Sequence, residues 1–229
     1  MVGMSQKNIL KGPYWLNPDG DESKFPPVDA AMNEPNGLLA FGGNLTPSRL
    51  LHAYRQGIFP WYSEDQPIMW WSPDPRSVLF LSNLNISRSL KKSIRNRGYH
   101  VTFDRCFDDV IKQCAAPRED DHGTWLTPEM IVAYNQLHEM GYAHSVECWQ
   151  GETLVGGLYG VALGKVFFGE SMFSRKSDAS KVAFVALVKQ LQRWEFAMVD
   201  CQVHSPHIAS LGAEEVSRDY FLDLLNTWL

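Results

Sequence analysis

With 229 residues, 45% of them apolar and 21% charged, the chain has the composition of an ordinary folded protein with a sizeable core, which excludes wholesale disorder. A formal charge of −5 excludes indiscriminate binding to nucleic acid, so any RNA contact has to come from a local cationic patch. No apolar run approaches the roughly 20 residues of a membrane helix. The first residues lack a secretory leader's apolar stretch, and the scattered cysteines, without a CxxC pair, read as reduced thiols of a cytoplasmic protein.

From Pro13 to Pro75 prolines and glycines recur so densely that the region reads as loop-rich, with little regular structure. Its clearest helix runs from Pro47 to Gln56: Thr46 suits the N-cap, Pro47 the first turn and Gly57 the stop, and Leu50, Leu51 and Tyr54 face inward. After about Ser77 the pattern changes. VLFL leads into SRSLKKSIRNRG, YHVTFD reads as a strand and CFDDVIKQCAA as a helix, and a further helix from Pro128 to Met140 ends at Gly141. HSVECWQ, TLVGGLYGVALG and KVFFGESMFS predict three successive antiparallel strands, with bends at Gly156, Gly157 and Gly160. A long helix capped by Ser177 or Asp178 reaches about Trp194, and AMVDCQVH closes as a strand. The class is α+β, with a small N-terminal domain over 1–76 and a mixed-sheet domain over 77–229.

Four constellations could carry chemistry. In AMVDCQVH the spacing of two puts Asp200 and Gln202 on one face of a strand, with Val199, Cys201 and Val203 on the other; together they could orient an attacking amine, or simply cap loop amides. Glu170 lies in an apolar strand among Phe167, Phe168, Met172 and Phe173, where a carboxylate is costly unless paired or open to a cavity; a solvated edge strand is the plain alternative. Arg88, Lys91, Lys92 and Arg95 recur at helical spacing and make one cationic face, fit for phosphates or for solvent. Trp61, Trp70, Trp71 and Trp125 gather near turns, where they could line an apolar pocket, stack on bases or pack the core. The histidines show no metal-ligand spacing.

The segments EPNGLLAFGGNLTPSRLLHAYRQGIFPWY, WWSPDPR, GTWLTPEM, LHEMGYAHSVE, GGLYGVALG, FFGESMFS, ASK and DCQ…HIASLGA, in that order, resemble the bacterial leucyl/phenylalanyl-tRNA–protein transferases from about Glu34 to Tyr220. The resemblance implies a GNAT-like (GCN5-related acetyltransferase-like) second domain and an enzyme without metal or cofactor. Its reaction would move leucine, phenylalanine or methionine from aminoacyl-tRNA to the N-terminal Arg or Lys of acceptor proteins, marking them for degradation. It assigns Asp200, Gln202 and Glu170 to the catalytic site, and the aminoacyl pocket to Trp61, Trp125, Tyr134, Leu158, Phe167 and Met172. Arg88, Lys91, Lys92 and Arg95 would hold the tRNA acceptor stem, and the protein would act as a soluble monomer. Some family members carry methionine where Leu158 stands.

Two other readings fit parts of the sequence. An acyl-coenzyme A N-acyltransferase shares the implied fold, but SRKSDASK lacks the glycines that cradle pyrophosphate. An RNA-binding adaptor would use the cationic face and tryptophans, yet would have no need of Asp200 with Gln202.

Overall fold

A computed structural model describes residues 12–116 and 126–229. Trp125, expected in the aminoacyl pocket, lies outside the described residues.

The N-terminal region is more regular than its proline and glycine content suggests. Strands β1 (Tyr14–Leu16), β2 (Leu38–Gly42), β3 (Phe59–Pro60) and β4 (Met69–Trp71) form a sheet of order β1-β2-β4-β3. These strands are two to five residues long and pair with distant segments, so no local alternation announces them. Between β2 and β3, helix α1 (Pro47–Arg55) starts where Thr46 accepts from the Arg49 amide, and Gly57, at φ +71°, supplies the left-handed residue beyond its end.

The remaining strands are β5 (Arg76–Phe80), β6 (Tyr99–Phe103), β7 (Ala143–Gln150), β8 (Thr153–Leu163), β9 (Val166–Ser174), β10 (Met198–Gln202) and β11 (Glu214–Val216). They form a seven-stranded sheet of order β11-β5-β10-β9-β8-β7-β6, in which only β9 and β10 run parallel. The three-strand meander expected from the sequence is β7-β8-β9.

One face of the large sheet carries α5 (Ala179–Arg193), whose Val182, Phe184, Leu187 and Leu191 pack over Leu158, Phe167 and Val199. On the other face stand α3 (Phe107–Ala115), α4 (Pro128–Glu139) and α7 (Arg218–Trp228), in an apolar cluster that runs unbroken into Leu39, Leu50 and Trp70 of the N-terminal region. The two sheets therefore share one core. Helix α4 buries Met130, Ala133, Tyr134 and Leu137, the stripe a helix of 3.6 residues per turn produces.

Helix α2 (Arg88–Asn96) buries Leu90 and Ser93 and leaves Arg88, Lys91, Lys92 and Arg95 exposed. Asp178 does occupy the N-cap of α5, but at φ +65° its carboxylate turns away from the helix amides and accepts from Ser93 Oγ at 2.6 Å. That bond ties the cationic helix to the start of α5. The short helix α6 (Pro206–Ala209) follows β10.

Candidate active site

The pairing of β9 with β10 ends at Phe168 opposite Asp200, although both strands continue. Where they part, a cavity of about 1130 Å³ opens. Its α5 side is apolar, built by Leu158, Phe167, Met172, Phe184, Leu187 and Ile208. Phe59, Trp61, Tyr159, Glu170 and Phe173 line it from the side of the N-terminal sheet and α4.

Two strand irregularities shape the opening. In the β8–β9 ladder Tyr159 faces Ser171 and Gly160 faces Gly169, so Glu170 is an extra, bulged residue. A Cβ at Gly160 would run into the Phe168 carbonyl and the Phe167 ring, so the close approach requires glycine there. In the β10–β5 ladder Asp200 faces Val78 and Gln202 faces Ser77, which makes Cys201 the extra residue and leaves Gln202 left-handed at φ +63°. A non-glycine residue in that region carries strain of about 1–2 kcal/mol, held here by its surroundings.

The restraint on Gln202 is Asp200. Its Oδ1 accepts the Gln202 amide at 2.9 Å and Arg76 Nε at 2.9 Å, while Oδ2 accepts Arg76 Nη2 at 2.6 Å. Both members of this ion pair are buried, and Arg76 Nη1 also donates to the Gly57 carbonyl. The Arg76 guanidinium lies 4.7 Å from the ring centres of both Phe59 and Phe221. Gln202 lines the cavity, whereas Asp200 does not. The Asp200 charge is matched by Arg76. Arg76, the last residue of WWSPDPR, is a site residue that sequence reasoning missed; a buried arginine leaves no periodic trace.

The Gln202 side chain lines the cavity and donates from Nε2 to Glu170 Oε1 at 3.0 Å, leaving its carboxamide oxygen as an acceptor. Glu170 also receives Tyr54 Oη on Oε1 at 2.8 Å and Tyr134 Oη on Oε2 at 2.8 Å, and the two phenolic oxygens are 2.6 Å apart. Burial pushes the Glu170 carboxyl up from 4.5 to about 7; the Tyr134 and Tyr54 hydroxyls oppose the rise, Asp200 adds to it and Arg76 opposes it. Burial likewise holds the two phenols well above their usual range, so both stay protonated.

Of the expected aminoacyl-pocket residues, Trp61, Leu158, Phe167 and Met172 line the cavity. Tyr134 does not: it is wholly buried behind Glu170, with its hydroxyl on the carboxyl. The expected tRNA residues Arg88, Lys91, Lys92 and Arg95 do not line the cavity; their helix is tied through Ser93 to Asp178, two residues before Ser180 of the cavity wall.

An apolar chamber that opens beside a carboxamide and a carboxyl has the chemistry a group-transfer enzyme needs. Residues 78–226 match the family described as Leucyl/phenylalanyl-tRNA protein transferase, and residues 43–74 match its N-terminal domain. Relatives named leucyl/phenylalanyl-tRNA–protein transferase include those of Nitrosospira multiformis (60% identical, over 90% of this chain and 88% of the relative) and Aromatoleum aromaticum (61%, over 89% and 86%). A GCN5-related N-acetyltransferase from Kribbella flavida is a loose structural likeness, with a TM-score of 0.37 at 11% identity over 73% of this chain and 60% of that one. The chain belongs to the leucyl/phenylalanyl-tRNA–protein transferase family, and is an aminoacyltransferase.

Proposed function

We propose that this enzyme transfers leucine, phenylalanine or methionine from aminoacyl-tRNA to the N-terminal Arg or Lys of acceptor proteins in the cytoplasm, marking them for degradation. The observation that carries this reading is the parting of β9 and β10, which joins an apolar chamber to the Gln202 and Glu170 side chains in one cavity. The aminoacyl side chain enters the chamber of Leu158, Phe167 and Met172, with Trp61 closing it from the N-terminal sheet. Unbranched or γ-branched side chains fit such a slot, and β-branched valine and isoleucine are rejected by shape. The cationic α2, tied to α5 beside the cavity wall, guides the acceptor stem.

An acceptor α-amine with a pKa of roughly 7.7 to 8.0 is partly neutral at cytoplasmic pH. Its nitrogen attacks the ester carbonyl carbon; the new C–N bond forms, the ester C–O bond breaks, and the nitrogen's proton passes to the departing ribose oxygen. The Gln202 carboxamide oxygen accepts a hydrogen bond from the amine and aims it. Asp200 acts one step back, through the Gln202 amide that it holds, and Glu170 meets the cationic side of the acceptor.

Purified enzyme, radiolabelled leucyl-tRNA and a peptide beginning with arginine provide the test. Label in the peptide is expected; a peptide that stays unlabelled while the tRNA binds normally refutes the reading. Gln202→Ala is expected to abolish transfer without weakening tRNA binding, whereas a non-enzymatic RNA adaptor would be indifferent to it.

A further inference from the structure

Three oxygen-bearing groups meet in a closed triangle at the floor of the cavity. Tyr54 Oη is 2.8 Å from Glu170 Oε1, Tyr134 Oη is 2.8 Å from Glu170 Oε2, and the two phenolic oxygens are 2.6 Å apart. Each of these contacts is of hydrogen-bond length and needs a proton within it. Two phenols supply two protons. With Glu170 ionised, both hydroxyls turn to the carboxylate and the Tyr54–Tyr134 contact is left as two facing lone pairs in a buried site. A proton on Glu170 Oε2 removes that defect: Glu170 donates to Tyr134, Tyr134 to Tyr54 and Tyr54 back to Oε1, where Gln202 Nε2 also donates.

We propose that Tyr54 and Tyr134 are positioning residues that close a three-contact hydrogen-bond ring with Glu170, hold its carboxyl protonated in the empty site, and make loss of that one proton the step that readies Glu170 for the acceptor's cation. The proton leaves to water through the cavity, and the carboxylate that remains pairs with the entering positive charge. The second half rests on the proposed transfer to an N-terminal Arg or Lys.

Taken singly, the two hydroxyls and Arg76 favour the carboxylate, but burial outweighs them, and the Tyr54–Tyr134 contact is one that only the protonated ring fills. Besides Tyr54 of α1 and Tyr134 of α4, Tyr159 of β8 adds a buried hydroxyl, and Asp200 of β10 is a negative neighbour whose charge Arg76 of β5 already takes up. Burial raises the carboxyl from 4.5 to about 7. The folded chain then binds one proton more than the unfolded chain between those values. The stability Glu170 contributes is therefore full below about 4.5 and is lost as pH rises through about 7.

The test needs no substrate. Melting temperatures are recorded from pH 4.5 to 8.5 for the wild type, for Glu170→Gln, whose amide reproduces the closed ring without titrating, and for Tyr54→Phe and Tyr134→Phe. The wild type is expected to lose stability relative to Glu170→Gln as pH rises from about 4.5 to about 7, with the midpoint of the loss about halfway between those values. In either phenylalanine variant the unfilled contact is gone, so the midpoint moves to lower pH. A wild type that tracks Glu170→Gln at every pH overturns the ring. So does a midpoint that moves upward on losing a hydroxyl, because the tyrosines would then be simple donors to a carboxylate. Transfer kinetics with an arginine-initiated peptide then address the second half. Glu170→Gln is expected to raise KM for the peptide and to flatten its pH dependence; an unchanged KM profile overturns that half and leaves the ring standing. If the wild type labels no peptide at all, it is the proposed function that fails, while the melting data still decide the ring.

Discussion

The buried pair of Arg76 and Asp200 separates two jobs a carboxylate can do, bearing charge or holding geometry. Arg76→Met keeps a similar volume and strips the buried Asp200 of its ion-pair partner, leaving it the Gln202 amide. Removing one partner of a buried ion pair costs about 3–5 kcal/mol. The two ring contacts of the guanidinium, with Phe59 and Phe221, add roughly 1–2 kcal/mol. Against a total stability of roughly 5–15 kcal/mol, that single change brings the protein close to unfolding. Adding Asp200→Asn removes the stranded charge, while the asparagine Oδ1 still accepts the Gln202 amide. The double variant is expected to regain most of the loss in urea denaturation and, because Gln202 keeps its left-handed backbone, to transfer leucine within about tenfold of the wild-type rate, equivalent to about 1.4 kcal/mol in the barrier. A double variant that folds and binds tRNA, yet transfers about a thousandfold more slowly, would show that the Asp200 charge itself acts on the reacting atoms, as the residue pattern alone suggests.

Leu158 stands opposite Met172 across β8 and β9. Leu158→Phe should therefore shorten the chamber and reduce phenylalanine transfer relative to leucine transfer by roughly 10- to 100-fold, read as a ratio of kcat/KM values; an unchanged ratio places the aminoacyl group elsewhere. Reversing Lys91 and Lys92 to glutamate leaves the buried side of α2 untouched, so melting should not change, while the slope of log K for tRNA against log salt should flatten by about 0.7–0.9 for each phosphate no longer neutralised. An unaltered salt slope removes α2 from the tRNA path. Gly160→Ala forces a methyl into the Phe168 carbonyl and should cost roughly 3 kcal/mol, whereas Gly98→Asn, with open space around it and a residue tolerant of positive φ, should cost under about 1 kcal/mol by thermal denaturation.

Local signals located most of the fold. Thr46 caps α1 as its sequence context predicts, and the meander β7-β8-β9 follows its three apolar segments. What escaped depends on distant partners. The two-residue β3 has strand geometry only because β4 pairs with it, and Asp178 caps no amide because Ser93, 85 residues away in sequence, takes its carboxylate. Arg76 is illegible for the same reason: its meaning lies in Asp200, Phe59 and Phe221, none of them near it on the chain.

The candidate site shows where alternation itself stops being a guide. In a regular strand Phe167 and Met172, five residues apart, point to opposite faces. Here both pack on the α5 side, because the bulge at Glu170 shifts the phase of the residues after it by one, while the Glu170 carboxyl, three residues from Phe167, faces the other way, toward Tyr54 and Tyr134. The bulge therefore collects the apolar chamber on one face with the acid behind it, and only Gly160, opposite the bulge, hints at it in the sequence. Asp200 and Gln202 stand on either side of a second bulge, and the ladder irregularity and the left-handed backbone leave one side chain locked on Arg76 and the other turned to Glu170. Residue spacing could find the strand that carries the chemistry; the division of roles along it follows from the breaks in the ladder.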